Sequence, residues 1–245
     1  MPDAEPDKMF PMSSTSPDSS SSPDRPVSRK EQREATRRLL LRTAERLFAE
    51  RGLSQVSMRQ LVEAAGQGNN SAVKYHVGTR DDLIREIIRT HIEPILRRTE
   101  ERVTQVRDSD DPRDHVASLV LPYTEHLAGL GAPSWFARFN AQVAVDPAFG
   151  EELRSLGFPR IPIYQEGAAA FWRGSPDLPP AEFALRRQAM RTVVIHTCAD
   201  HERLAATAGE PGDWDMVGEA LTDAITGLLV APRRPPKPAP RKHHR

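Results

Sequence analysis

Residues 56–80 read VSMRQLVEAAGQGNNSAVKYHVGTR, and this stretch decides the fold. Ser57 is a residue type that caps helices, and apolar residues follow it at helical spacing from Leu61 onwards. Gly66 and Gly68 supply the backbone freedom that a helix end and a chain reversal need. A second helix is predicted to begin near Asn69. The pattern therefore indicates two short helices separated by a turn, in which the second helix can lie in the DNA major groove.

The second of these helices carries side chains suited to DNA. Asn69 and Asn70 stand at its start, and an amide presents together the donor and the acceptor that an adenine edge requires. Ser71, Lys74 and Tyr75 add donors for a phosphate or a base. An ordinary helical hairpin with a polar face is the alternative, and spacing alone leaves both interpretations open.

A longer set of motifs decides between these interpretations. The motifs, in chain order, are Leu47-Phe48-x-x-x-Gly52, Val56-Ser57-Met58-Arg59-x-Leu61, Ala65-Gly66, Tyr75-His76 and Thr79-Arg80-Asp81-Asp82-Leu83. Their order and spacing resemble the N-terminal domain of the tetracycline-repressor (TetR) family of transcriptional regulators over about fifty residues. The chain departs from the family pattern in a turn one residue longer, in Lys74 where an aromatic is frequent, and in Val77 where Phe is frequent. These departures affect the base-reading positions more than the fold.

The resemblance implies an all-α fold in which a helix-turn-helix DNA-binding domain precedes a helical ligand-binding and dimerisation domain. Groove-facing and base-facing residues are expected on the helix that begins near Asn69. Phosphate contacts are expected at the starts of three other helices, namely the one that ends at Arg51, the one that Ser57 caps and the one that follows Thr79. A further phosphate contact is expected beside the helix that begins near Asn69. The predicted DNA-binding residues are Arg33, Thr36, Ser57, Arg59, Asn69, Asn70, Ser71, Lys74, Tyr75, His76, Thr79 and Arg80.

Charge is distributed unevenly along a chain whose net charge is zero. Residues 28–80 contain 11 Lys and Arg against 5 Asp and Glu, a net charge of +6. Residues 81–232 contain 15 against 24, a net charge of −9. A basic module suited to a polyanion is therefore attached to an acidic body that a polyanion would repel.

Composition bounds the class of protein. The 245 residues are 38% hydrophobic, enough for a core, and no apolar run approaches the roughly 18 residues of a membrane helix. The first residues contain no apolar signal-like block, and the single Cys198 allows no internal disulfide and suits a reducing compartment. We therefore expect a cytoplasmic protein without a membrane partner.

Four segments are predicted along the chain. Residues 1–28 are rich in Ser, Pro and Asp and are expected to be disordered, residues 29–82 form the DNA-binding domain, residues 83–231 the helical body, and residues 232–245 a basic, Pro-rich tail. The helix that precedes Gly52 is expected to run to Arg51. Pro94 is expected to kink the helix that follows Thr79. The predicted body helices are 115–130, 135–145, 147–156, 161–172, 181–206 and 214–230.

No motif of catalysis or metal binding stands out. Ser, His and Asp occur, but at no recognisable nucleophile spacing, so we expect no enzyme and no cofactor. His196 and Asp200 lie four residues apart on one helix face, whereas Cys198 points elsewhere, so a packed helix is favoured over a metal site. Cys198 lacks a neighbouring Lys or Arg, which favours a buried, unreactive thiol.

The body is rich in aromatic residues, as an apolar effector site would require. Core packing explains such residues equally well, and the resemblance implies an effector pocket without identifying its residues. The predicted effector contacts are Tyr123, His126, Trp135, Phe139, Phe171 and Trp172.

The resemblance implies that the last two helices pair with their copies in a homodimer. A helix-turn-helix that binds a palindromic operator also needs the two-fold symmetry of a dimer. Two apolar stripes suit this interface, although both also suit the core of a single chain. The first comprises Leu185, Ala189, Thr192, Val193 and His196, and the second Val217, Leu221, Ala224, Ile225 and Leu228.

The sequence thus predicts a sequence-specific DNA-binding regulator, with release of a repressor from its operator by a small molecule as the default mechanism. One alternative is a DNA-binding protein without an effector, architectural or controlled by a partner protein, which a compact body without a cavity would favour. The other is an enzyme on a helical scaffold, which carboxylates or histidines with shifted titration in a cleft would favour.

Overall fold

The computed structural model describes residues 28–66, 78–156 and 178–232, and within them it is all-α, with no strand. No helix in these three segments is long and apolar enough to cross a membrane. The described residues form eight helices, α1 Arg29–Arg51, α2 Met58–Ala64, α3 Arg80–Gln105, α4 Pro112–Leu130, α5 Phe136–Val145, α6 Gly150–Leu156, α7 Pro180–Ala208 and α8 Trp214–Val230.

Helix α1 has the predicted bounds because both ends are set locally. At its start the Ser28 hydroxyl accepts a hydrogen bond from the Glu31 amide at 3.2 Å, and the Glu31 carboxylate accepts one from the Ser28 amide at 2.7 Å. At its end Gly52 has φ 88°, a conformation that a side chain would strain, and its amide donates to the Phe48 carbonyl at 2.9 Å. A 3₁₀ turn, Leu53–Gln55, then leads towards α2.

Helix α3 joins the N-terminal head, which contains α1 and α2, to the helical body. It begins with a capping box, in which Thr79 and Asp82 exchange hydrogen bonds of 2.8 and 3.1 Å. It runs without interruption to Gln105 and contains Pro94. The domain boundary predicted after Asp82 therefore falls inside a continuous helix, and the predicted kink stays a prediction.

The body helices follow the predicted order with shifted ends. Helix α4 begins three residues early, at Pro112, where the Asp111 carboxylate accepts a hydrogen bond from the Arg113 amide at 2.8 Å. Helix α6 begins at Gly150 rather than at Pro147, because Asp146 first caps a turn. The predicted helix 161–172 and both predicted tails, apart from Ser28 and Pro232, lie outside the described residues.

The buried apolar residues of head and body form one continuous core. Helix α1 packs on α2, α3 and α5, and α4 lies between α3 and α8. Because α1 belongs to the head and α5 to the body, head and body are packed directly on each other as well as linked by α3.

The contact of α8 with α4 is close at Gly218, where an added Cβ atom would lie 2.6 Å from the Thr124 hydroxyl oxygen.

The two apolar stripes predicted for the dimer differ in their environment. Val217, Leu221 and Ile225 of α8 are buried in the core of the single chain, where this helix packs on α4. By contrast, Leu185 of α7 is 64% exposed and Val193 is 37% exposed. The first stripe is thus available to a second copy, whereas these three residues of the second belong to the core.

Candidate DNA-binding face and effector cavity

The base-facing candidates Asn69, Asn70, Ser71, Lys74 and Tyr75, together with His76, lie outside the described residues. The helix that precedes them is described and starts as predicted. The Ser57 hydroxyl accepts from the backbone amide of Gln60 at 3.4 Å, and the side-chain Oε1 of Gln60 accepts from the backbone amide of Ser57 at 2.8 Å. Arg59, in the first turn of α2, is exposed and forms no ion pair with a described residue.

Two further candidates stand on the first half of α1. Arg33 is exposed and Thr36 is half-buried. One turn from Arg33, the Arg37 guanidinium forms an ion pair with Glu86 of α3 and donates to it from Nε at 3.2 Å. This pair fixes the start of α1 against α3, so the exposed basic residues beside it are held on a rigid element.

Arg80 is turned into the protein, although the resemblance implies that it contacts the DNA backbone. Its Nε atom donates to the Val56 carbonyl at 2.9 Å, and Nη2 donates to the Leu53 carbonyl. Its guanidinium carbon lies 5.4 Å from the centre of the Phe48 ring. In this structure Arg80 therefore clamps α3 to α1 and to the turn before α2, and its phosphate contact stays a prediction. The neighbouring Thr79 is exposed and caps α3.

A buried polar chain connects the head to the body. Glu45 of α1 lies 3.1 Å from Nε2 of His91 on α3, and Nδ1 of His91 lies 2.8 Å from Nε2 of His126 on α4. The His91 ring also stacks on Phe136 of α5 with a centroid separation of 3.9 Å. Burial first, and the neighbouring His91 second, lower the pKa of His126 to about 4, so this imidazole is neutral at pH 7.

A cavity of about 720 Å³ lies in the body, within the roughly 300–1,000 Å³ range of small-molecule sites. Helices α3 to α7 contribute its walls. The described lining residues are Ile92, Ile95, Leu96, Thr99, Leu119, Val120, Tyr123, Asn140, Leu153, Arg154, Ala184, Arg187, Gln188, Met190, Arg191, Val194 and Ile195.

Tyr123 is the predicted effector contact that lines this cavity. The Asn140 amide donates to its hydroxyl oxygen at 3.0 Å, so the hydroxyl hydrogen remains available to an acceptor in the cavity. Burial raises the pKa of Tyr123 well above its usual value, so the hydroxyl stays neutral. Tyr123 and Asn140 thus form one polar position in a mainly apolar wall.

Three other predicted effector contacts lie elsewhere among the described residues. His126 belongs to the polar chain, and Trp135 precedes α5, where its carbonyl accepts from the Phe139 amide at 2.9 Å. The Phe139 ring is fully buried, 6.1 Å from that of Phe48, and forms part of the contact between body and head. Phe171 and Trp172 lie outside the described residues.

The sequence interpretation missed the arginines of the cavity wall. Arg187 and Arg191 stand four residues apart, so one face of α7 brings both to the cavity. Charged residues at this spacing usually indicate a solvated helix face, and nothing local distinguishes these two. The available signal was their position beside Met190, Val194 and Ile195, which line the same wall.

The predicted thiol and the weak metal motif are both on α7. Cys198 is fully buried, as predicted, and burial, with a smaller effect of Glu202, raises its pKa to about 12. Asp200 accepts a hydrogen bond from Arg203 at 2.9 Å. Among the described side chains, no three His, Cys, Asp or Glu residues lie together as a metal site would require.

Comparison with known proteins agrees with the motifs and with this architecture. Residues 40–87 match the family model described as bacterial regulatory proteins of the tetR family. No curated protein matches the chain.

Solved structures extend the likeness to the whole architecture. The chain is similar to NalD, the secondary repressor of the MexAB-OprM multidrug efflux pump in Pseudomonas aeruginosa, with 23% identity over 82% of this chain and 98% of NalD and a TM-score of 0.55. It is also similar to the probable transcriptional regulatory protein RHA5900, with 22% identity over 80% and 100% of the two chains and a TM-score of 0.52. A regulator from Shewanella sp. PV-4, described as a putative member of the tetR family, gives 15% identity over 78% and 95% and a TM-score of 0.52.

The family model and the motifs rest on the same residues, and the solved structures share the fold of the chain that surrounds them. Together they establish that this protein carries the DNA-binding helix-turn-helix domain of the tetR family of bacterial regulatory proteins, followed by a helical domain with the fold of such regulators.

Proposed function

We propose that this chain is a homodimeric transcriptional repressor that a small molecule releases from a palindromic operator. The observation that carries the proposal is the placement of the cavity. Its wall includes Ile92, Ile95 and Thr99 of α3, the helix that begins in the DNA-binding head. A ligand in the body would therefore touch the element that positions the head.

Direct packing supplies a second connection between cavity and head. Asn140 of α5 lines the cavity, and Phe139 beside it packs on Phe48 of α1. The polar chain from Glu45 through His91 to His126 joins α1, α3 and α4. A change in the spacing of α3 and α5 would therefore be transmitted to α1.

The mechanism follows from linkage between two binding sites. A ligand that binds more tightly to the arrangement in which the two heads are wrongly spaced for DNA lowers the affinity for DNA. By linkage, it does so by the same factor by which bound DNA lowers the affinity for the ligand. A shift in operator affinity of 5- to 150-fold, about 1–3 kcal/mol, is typical of such coupling. NalD, which shares the fold, is named a repressor, and this supports repression over activation.

On the DNA side we assign the groove to Asn69, Asn70, Ser71, Lys74 and Tyr75, and phosphate contacts to Arg33, Thr36, Ser57, Arg59, His76 and Thr79. Arg80 would contact a phosphate only after it leaves its bonds to the Val56 and Leu53 carbonyls. Among the described members of this set, the exposed positions of Arg33 and Arg59 support the assignment most directly. The net charge of +6 over residues 28–80 favours any such contact.

The first experiment is a footprint of the full chain on DNA that flanks its own gene, at two salt concentrations. A protected palindrome is expected, and a screen for compounds that remove the protection would follow. Protection without sequence preference would favour an architectural protein. If this DNA is not protected, selection from random DNA decides whether the head reads sequence, and failure there would contradict the proposal.

Two substitutions test the reading of the second helix. Lys74→Ala is expected to weaken binding to all DNA and to reduce the salt slope by about one unit, because a phosphate or groove charge is lost. Asn70→Ala is expected to relax base preference at one operator position. A uniform loss across sequences for Asn70→Ala would make it a backbone contact.

A further inference from the structure

Three arginines converge on the body cavity. Arg154 of α6 and Arg187 and Arg191 of α7 all line it, and the described lining residues include no Asp or Glu. Three arginines with no carboxylate among the described lining residues select against cationic ligands and favour anionic ones. The charges of the lining residues therefore restrict the class of ligand more than the volume of the cavity does.

The three guanidinium groups differ in the partners they already have. Arg154 donates from Nε to Glu151 at 2.9 Å, and Arg187 lies over the Phe183 ring at 5.6 Å. Arg191 forms no hydrogen bond or ion pair with any residue in the described segments, and it is half-buried. The donor fork of Arg191 therefore has no partner among the described residues that an incoming anion would have to displace.

The burial of Arg191 and the charges around it favour the binding of an anion. Burial is the largest cause that lowers its pKa, and repulsion from Arg154 acts in the same direction. Glu151 opposes them with a smaller effect. A bound carboxylate or phosphate would offset both unfavourable effects, because it would return to the guanidinium the hydrogen bonds that burial removes.

The residues that α3 and α4 contribute to the cavity are mainly apolar. They include Ile92, Ile95 and Leu96 of α3 and Leu119 and Val120 of α4. Hydrocarbon placed against these side chains is removed from water, and the polar pair Tyr123 and Asn140 lines the same cavity. The described lining therefore combines apolar residues of α3 and α4 with the arginines of α6 and α7.

We propose that the effector is an amphipathic organic anion, with an apolar body against α3 and α4 and an acidic head group bound by Arg191 and Arg187. The inference rests on the proposed function in taking this cavity as the effector site. It names the chemical class of the ligand and the two residues that select it. Arg191 supplies a bidentate contact, and Arg187 adds charge from the exposed edge of the cavity.

The test compares two probes that differ only in the head group. Decanoate and 1-decanol are titrated separately into the full-length protein, and binding is measured by isothermal titration calorimetry. Decanoate is expected to bind at least about tenfold more tightly than decanol, as one charge-assisted hydrogen-bonded contact would produce. Arg191→Gln is expected to remove most of this preference and to leave decanol binding unchanged.

Arg203→Gln is the matched control, because Arg203 is an exposed arginine on the same helix and lies outside the cavity wall. It should keep the wild-type preference. Thermal unfolding followed by circular dichroism confirms that each variant is folded, and Arg187→Gln replaces Arg191→Gln if the latter does not fold.

Equal affinity for the two probes, or binding of neither, would overturn the inference. A preference for decanoate that survives both Arg191→Gln and Arg187→Gln would also overturn it. These outcomes are independent of the footprint. A protein that protects an operator but binds decanol as tightly as decanoate retains the proposed function and loses the ligand class, and the reverse result retains the ligand class alone.

Discussion

Nδ1 of His91 lies 2.8 Å from Nε2 of His126, and this bond joins the helix that begins in the head to a helix of the body. Glu45 extends the chain to α1 through Nε2 of His91 at 3.1 Å. When His91 is neutral and donates to the Glu45 carboxylate, its Nδ1 must accept the proton of His126 Nε2. The direction of each hydrogen bond thus depends on the protonation of its neighbours.

The depressed pKa of His126 predicts a loss of stability in mild acid. Between pH of about 6.5 and about 4 the unfolded chain binds a proton at this residue and the folded chain does not, so stability falls as pH falls through that window. After allowance for partial exposure, the contribution is roughly 1–2 kcal/mol. His126→Gln keeps an amide near the Nε2 position and removes the titration. Its melting temperature should therefore fall less than that of the wild type between pH 7 and pH 4.

Circular dichroism melts at half-unit steps of pH measure this difference. His243→Gln, which replaces a histidine of the predicted basic tail, is the control and should follow the wild-type curve. Parallel curves for the wild type and His126→Gln would show that His126 titrates alike in the folded and unfolded chain.

Arg80 and Arg59 are expected to behave oppositely although both are predicted phosphate contacts. Arg80→Gln removes charge-assisted bonds to the carbonyls of Val56 and Leu53 and should destabilise the fold by about 1–3 kcal/mol. Arg59→Gln alters an exposed side chain, so stability should change by less than about 0.5 kcal/mol. Urea unfolding measures both effects.

DNA binding completes the comparison of the two arginines. Arg59→Gln should reduce the salt slope of operator binding by about one unit, as loss of a phosphate contact does. If Arg80→Gln instead kept wild-type stability and reduced the slope, its guanidinium would leave the clamp for the DNA backbone.

Helix ends in the head could be predicted from sequence because their causes are local. The boxes at Ser57 and Thr79 and the glycine at Gly52 each act within four residues of the helix end that they set. The role of Arg80 could not be predicted, because its carbonyl acceptors are 24 and 27 residues away in sequence. Only the packing of α3 on the head brings them together.

Periodicity gave the apolar faces of the last helices without their partners. The face of α8 that carries Val217, Leu221 and Ile225 suited both a dimer and a core, and in the structure it packs on α4 of the same chain. The cavity could not be predicted from the sequence either. Its described lining residues come from five helices, and its arginines have the spacing of a solvated helix face. Contacts between distant segments, rather than local propensity, decide such sites.

Gly218 is predicted to be required for the close packing of α8 on α4. Alanine would gain up to about 1 kcal/mol of helix propensity, but its Cβ atom would lie 2.6 Å from the Thr124 hydroxyl and 2.9 Å from a Leu121 methyl group. Overpacking of about 1–3 kcal/mol outweighs that gain, so Gly218→Ala should lower the melting temperature. Gly227→Ala on the same helix meets nothing within 4 Å and is the control. It should hold or raise the melting temperature, and equal behaviour of the two variants would refute close packing at Gly218.

The proposed dimer is best tested on α7, because a charge at Leu221 would disrupt the core of the single chain. The double variant Leu185→Glu and Val193→Glu introduces two carboxylates into the exposed stripe. Each copy would then bury like charges against its partner, so sedimentation should show a monomer with wild-type helix content. Val145→Glu, at the end of α5 and 67% exposed in the single chain, lies outside the last two helices and is the control, which should remain dimeric. A double variant that sediments as a dimer would place the interface elsewhere. A folded monomer with weakened operator binding would show that the α7 stripe is needed for the dimer to bind both half-sites of the operator.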